Sequence, residues 1–136
     1  MAAPPPSTPS SSTPASGPPP GGPVLHAAQA LALWHRVLVV GLNRSLPDLT
    51  TRQFALFLEV YLAPPPHTVR GLAKTLNMSK PAVTRAVDRL ENLEFVRRRT
   101  DEQDKRSVLV QRSVKGSVFL REFADMAAEA ARNLTG

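Results

Sequence analysis

The sequence predicts a mainly α protein in which three central helices lead into a small β-hairpin, with one more helix before them and one after. Three observations carry that prediction. Apolar residues recur at helical spacing through most of residues 24–134, polar side chains suited to N-caps precede most of those stretches, and the period turns extended only between 95 and 112. At 136 residues the chain is long enough for one core and too short for two.

Nine of the 14 prolines fall in the first 23 residues, mixed with Ser, Thr, Ala and Gly and with no charged side chain. Such a stretch cannot bury enough area to offset its conformational entropy, so residues 1–22 read as a disordered Pro/Ser-rich arm and 23–136 as the folded domain. The arm lacks the basic n-region and apolar h-region of a secretory signal, which makes the cytoplasm the expected compartment. Its proline triplets suit a solvated tail better than a ligand for an SH3-like groove.

The folded part opens at Gly22 and Pro23, with Pro23 suited to a first helical turn. Of residues 24–42, 14 of 19 are apolar, the exceptions being His26, Gln29, His35, Arg36 and Gly41. A membrane span would place Arg36 in hydrocarbon at a cost of roughly 2.5–3.5 kcal/mol, on a barely sufficient length. A helix this apolar has more surface than one small core can cover, so a second copy of the chain is expected to cover the rest, giving a homodimer and no membrane partner.

The next helix follows Pro47, with Thr50 and Gln53 at capping-box spacing, and carries Phe54, Phe57, Leu58 and Tyr61 as core before the Pro64, Pro65, Pro66 stop. Thr68 caps a short helix whose Val69, Leu72, Ala73 and Leu76 fall at i, i+3, i+4 and i+7, and Asn77 suits the left-handed turn after it. Ser79 then caps a helix with Pro81 in its first turn and Val83, Ala86, Val87 and Leu90 as its inner face. Two helices separated by about three residues form a helix-turn-helix. With that inner face buried, Ser79, Lys80, Thr84, Arg85, Asp88 and Arg89 project.

Residues 95–99 and 107–112 read as two strands flanking a charged tip at 100–106. Ser113 caps a last helix with Phe119, Phe123, Met126 or Ala127, Ala130 and Leu134 on one side. Charge is concentrated: residues 70–112 hold 11 Lys or Arg against six Asp or Glu, an excess of five in a chain whose total is +6. A basic helix-turn-helix and hairpin between nearly neutral helices is the footprint expected of a surface that neutralises a phosphate backbone.

From about residue 49 to 116 the sequence resembles the MarR family of winged helix-turn-helix transcription regulators. The resemblance rests on motifs in order: Leu49 and Thr50 with Gln53; Thr68, Val69, Arg70, Leu72 and Ala73; Ser79, Lys80, Pro81, Ala82, Val83, Thr84 and Arg85, then Asp88, Arg89, Leu90 and Glu91; and finally residues 96–99, Asp101, Asp104, Arg106 and Gly116. It implies an α+β winged helix-turn-helix: a three-helix DNA-binding core, a two- or three-stranded wing, and N- and C-terminal dimerisation helices. It also implies a repressor that binds a pseudo-palindromic double-stranded operator as a homodimer.

On that resemblance the DNA-binding residues are Ser79, Lys80, Pro81, Thr84, Arg85, Arg89, Lys105 and Arg106, with Asp104 steadying the wing. Arg85 is the candidate for a bidentate guanine contact, with a phosphate contact as its alternative; Arg106 is the wing residue for the minor groove. Relatives bind small aromatic effectors, and here Trp34, His35, Arg36 and Tyr61 could line such a pocket, although by themselves they read as core. Glu94 stands where the family commonly ends its recognition helix with Gly, so the cap is either rebuilt there or strained. Only 20 residues follow Gly116, which leaves dimerisation to 24–46 and 113–134.

No enzyme class fits. The chain has no Cys, hence no thiolate nucleophile, disulfide or thiolate metal site, and it carries no Gly-rich phosphate loop or local Ser, His and Asp motif. His26, His35 and His67 are too scattered for a metal site, so no metal and no cofactor are expected. The rival reading is a winged helix used for protein interaction, or for DNA binding without an operator of its own.

Overall fold

The first helix starts just after His26. In the computed structural model, which describes residues 3–4 and 24–134, α1 spans Ala27–Asn43, and Gln29 Oε1 accepts the backbone N–H of its N-cap His26 at 3.0 Å. The expected opening at Pro23 is thus four residues early, because the Gln29 carboxamide supplies an acceptor that fixes the start further along. Pro23 and the expected arm, apart from Ala3 and Pro4, lie outside the described residues.

The other four helices start where their caps predict. In α2 (Thr51–Leu62), Thr50 Oγ1 accepts Gln53 N at 3.1 Å while Gln53 Oε1 accepts Thr50 N at 2.9 Å, a reciprocal capping box. Thr68 caps α3 (Val69–Leu76) through Gly71 N, Ser79 caps α4 (Lys80–Asn92) through Ala82 N, and Ser113 caps α5 (Val114–Arg132) through Gly116 N. A methyl group on Gly71 would stand 3.0 Å from Thr68 Oγ1, the atom capping that residue's own amide, so the glycine leaves the cap undisturbed.

Helix α4 ends on a left-handed Glu94, φ 63°. Its N–H reaches Glu91 O at 2.8 Å and the N–H of Phe95 reaches Leu90 O at 2.8 Å, the two bonds of a Schellman motif, with Phe95 and Leu90 buried in one cluster. The cap is therefore kept and the strain accepted, and Phe95, expected as the first strand residue, belongs to the helix end. Left-handed geometry costs a side-chain-bearing residue about 1–2 kcal/mol, and glycine returns about half of that as unfolded-state entropy. Glu94→Gly is expected to raise stability by about 0.5–1 kcal/mol in denaturant unfolding, since the exposed Lys115–Glu94 ion pair at 3.1 Å contributes little. A fall in the midpoint would show that the pair outweighs the strain.

The wing is two-stranded. β1 (Val96–Thr100) pairs antiparallel with β2 (Val108–Arg112), from Val96 opposite Arg112 to Thr100 opposite Val108. The third strand the family pattern allowed is reduced to one bridge, Thr68 with Leu109, beside a bond from Val110 N to His67 O at 2.8 Å.

The core lies where α2, α3, α4 and the wing's root meet. Leu56, Phe57 and Val60 of α2 pack with Leu72, with the whole expected inner face of α4, and with Phe95, Val96 and Val110. The rings of Phe57 and Phe95 stack at 5.0 Å, Phe119 of α5 lies 4.6 Å from Phe95, and Phe54 lies 5.0 Å from Phe123, so these aromatics are core. Met126 and Ala130 of α5 are buried, and α1 packs along α5. Among the described residues no helix is long and apolar enough to cross a membrane.

Candidate nucleic-acid interface

A left-handed residue and an N-cap aim α4. Asn77, φ 53° and ψ 49°, ends α3, and two residues later Ser79 caps α4, so the chain turns from one helix to the next within three residues. Burial of Val83, Ala86, Val87 and Leu90 against α2 and α3 then fixes which face remains: Ser79, Lys80, Pro81, Thr84, Arg85, Asp88 and Arg89 are all exposed. Pro81 lies in the first turn, where its missing N–H costs no helix bond. The open amides of that turn and the cations beside it give this end of α4 a positive potential.

The wing's tip is fastened by two carboxylates. Asp104 accepts the N–H of Arg106 at 3.1 Å and the hydroxyl of Ser107 at 3.3 Å, while Asp101 accepts Gln103 N at 3.0 Å. The Arg106 guanidinium stands 3.9 Å from Asp104 and its side chain is 98% exposed, with Lys105 exposed next to it. The tip is thus shaped by local bonds while its cations point to solvent.

Two residues counted in the basic surface belong elsewhere. Arg112 donates to Val60 O at 2.9 Å and Ala63 O at 3.1 Å, satisfying carbonyls at the end of α2, with its guanidinium 5.7 Å from the Tyr61 ring centre. Arg98 is held by Asp88 and Glu91, and its pKa is raised above the ordinary arginine value, chiefly by the Asp88 hydrogen bond. These pairings join residues 7 to 52 apart in sequence, so no local pattern announces them. Arg52, which the sequence did not single out, lines a depression of about 150 Å³ between the starts of α2 and α4 with Thr50, Gln53, Met78, Ala82, Arg85 and Ala86.

None of Trp34, His35, Arg36 and Tyr61 lines that depression. Trp34, His35 and Arg36 are exposed on α1. The Tyr61 hydroxyl is committed to the backbone, reaching Phe95 O at 2.8 Å and Ser113 O at 3.1 Å and accepting Ser113 N at 2.9 Å.

Three helices with an antiparallel hairpin behind an exposed second helix define a winged helix-turn-helix. Residues 48–107, from just before α2 through the wing's tip, match the model of the MarR family. Solved structures share the fold: the YusO protein from Bacillus subtilis (20% identity, 77% of this chain and 72% of that one, TM-score 0.62) and the transcriptional regulator Tm0710 from Thermotoga maritima (23%, 76% and 68%, 0.58). A mutant MarR from E. coli, complexed with operator DNA, is 26% identical over 80% of this chain and 76% of its own, with a TM-score of 0.54. No curated protein sequence is a significant match.

Proposed function

We propose that the protein is a cytoplasmic, homodimeric repressor of transcription that binds a pseudo-palindromic double-stranded operator. The observation that carries the reading is the exposed cationic start of α4 beside a hairpin whose tip throws Lys105 and Arg106 outward. The similar MarR complexed with operator DNA supports it. In this reading α4 enters the major groove with Arg85 on a base edge, and Ser79, Lys80, Thr84 and Arg89 fix the register on phosphates, with Pro81 shaping the turn they stand on. Lys105 grips the backbone, and Arg106 enters a narrow minor groove whose negative potential favours a guanidinium. Asp104 steadies the wing.

The test is titration of a short inverted repeat selected from random duplexes. Log affinity is expected to fall steeply with log salt, because several phosphates per subunit are neutralised. Arg106→Ala is expected to weaken binding on every sequence, whereas Arg85→Ala also relaxes base preference by about 1–3 kcal/mol. Equal binding of all duplexes by the wild type and Arg85→Ala would instead identify a module without its own operator.

A further inference from the structure

Asp88 and Glu91 stand one turn apart on α4, and Arg98 is the third residue of β1. The Arg98 backbone N–H donates to Glu91 Oε2 at 3.0 Å, so the carboxylate takes up a bond that a neighbouring strand would otherwise satisfy. The Arg98 side chain returns to the same residue, with Nε and a terminal nitrogen 3.2 and 3.1 Å from Glu91 Oε1, and that terminal nitrogen also bonds Asp88. A planar fork fits two carboxylates in a way a lysine ammonium cannot. One residue therefore fastens the wing's first strand to α4 through both main chain and side chain.

The same contacts settle a charge problem. Asp88 and Glu91 are the two acids of α4, a helix whose other charges are Lys80, Arg85 and Arg89. Unpaired, they would oppose a polyanion at that surface; with Arg98 between them one of their two charges is offset. Arg98, with 30% of its side chain exposed, has its Nε and one terminal nitrogen committed to these carboxylates.

We infer that Arg98 is a positioning residue for DNA binding: it fixes the angle between wing and α4, so that Arg85 and Arg106 dock into successive grooves as one unit, with Asp88 and Glu91 as its anchors. The inference rests on the DNA-binding reading above.

The experiment measures wild type, Arg98→Ala, Arg98→Lys, Arg106→Ala and the Arg98→Ala/Arg106→Ala double variant on one inverted repeat at fixed salt, with amide hydrogen exchange on each free protein. Arg98→Ala is expected to weaken binding about tenfold and to leave Arg106→Ala nearly silent in the double variant, since residues that act through one contact couple. Arg98→Lys keeps the charge and is expected to behave like Arg98→Ala. In the free protein, exchange at residues 98–100 rises about tenfold in both Arg98 variants while the Leu90 amide in α4 stays protected, which also reports that the domain is folded. Additive losses for the two alanines, or wild-type binding by Arg98→Lys, would overturn the role, as would unchanged exchange in the wing. Failure of the wild type to bind any duplex would overturn the DNA-binding reading instead, a result the exchange data distinguish.

Discussion

Gly116→Ala is expected to destabilise the domain by about 3 kcal/mol or more, lowering the midpoint of thermal unfolding by roughly 10–20 °C. A methyl group at this buried third position of α5 would lie 2.2 Å from Phe95 O and 2.2 Å from the Tyr61 hydroxyl. Neither can yield cheaply. Phe95 O belongs to backbone whose N–H completes the Schellman end of α4, and the hydroxyl is bonded to Phe95 and Ser113 at once. Relief means pushing α5 away from Phe95, which breaks those bonds and opens the contact between Phe95 and Phe119. Alanine's helix propensity returns only about 1 kcal/mol. A calorimetric scan decides it: a shift of less than about 3 °C would mean that α5 has room to retreat.

The second large effect is expected in assembly. None of the 17 residues of α1 is buried, and Leu31, Trp34, Leu38 and Leu42 recur every three to four residues along it, with 73, 67, 53 and 77% of their surface exposed. The other side of α1 already packs on α5, so this stripe is what a second copy would cover. Replacing Trp34 and Leu38 together with Lys is expected to give a monomer in sedimentation experiments. Affinity for an inverted repeat falls by about 10²–10⁴, because the second half-site is no longer bound at the high effective concentration that linkage supplies. Binding to an isolated half-site is expected to stay unchanged. A double variant that still sediments as the wild type would remove α1 from the dimer interface.

What the sequence made legible was whatever a few neighbouring residues decide. Thr50, Thr68, Ser79 and Ser113 each cap the amide three residues on, so four helix starts could be read directly. The inner face of α4 followed from spacing alone, and with it the side chains left exposed. At α1 the start is set by the bond from the His26 N–H to the Gln29 carboxamide, a signal that the reading from Pro23 left out. Glu94 was legible as a conflict between residue type and backbone, and it is resolved in favour of the backbone because Phe95 and Leu90 gain burial together. What stayed hidden has partners far along the chain. Arg112 meets Val60 across 52 residues and so looked like surface charge, while Tyr61, legible as core, gave no sign of the bond its hydroxyl makes to Phe95 O 34 residues on.

Thr68 serves two structures with one residue, as N-cap of α3 and as the partner of Leu109 in the bridge to β2. A slip of the hairpin by a single position would leave that helix start without its mate and turn Val110 out of the core. Insertions or deletions at the hairpin's far end, residues 101–106, would by contrast lengthen or shorten the probe without disturbing its mounting.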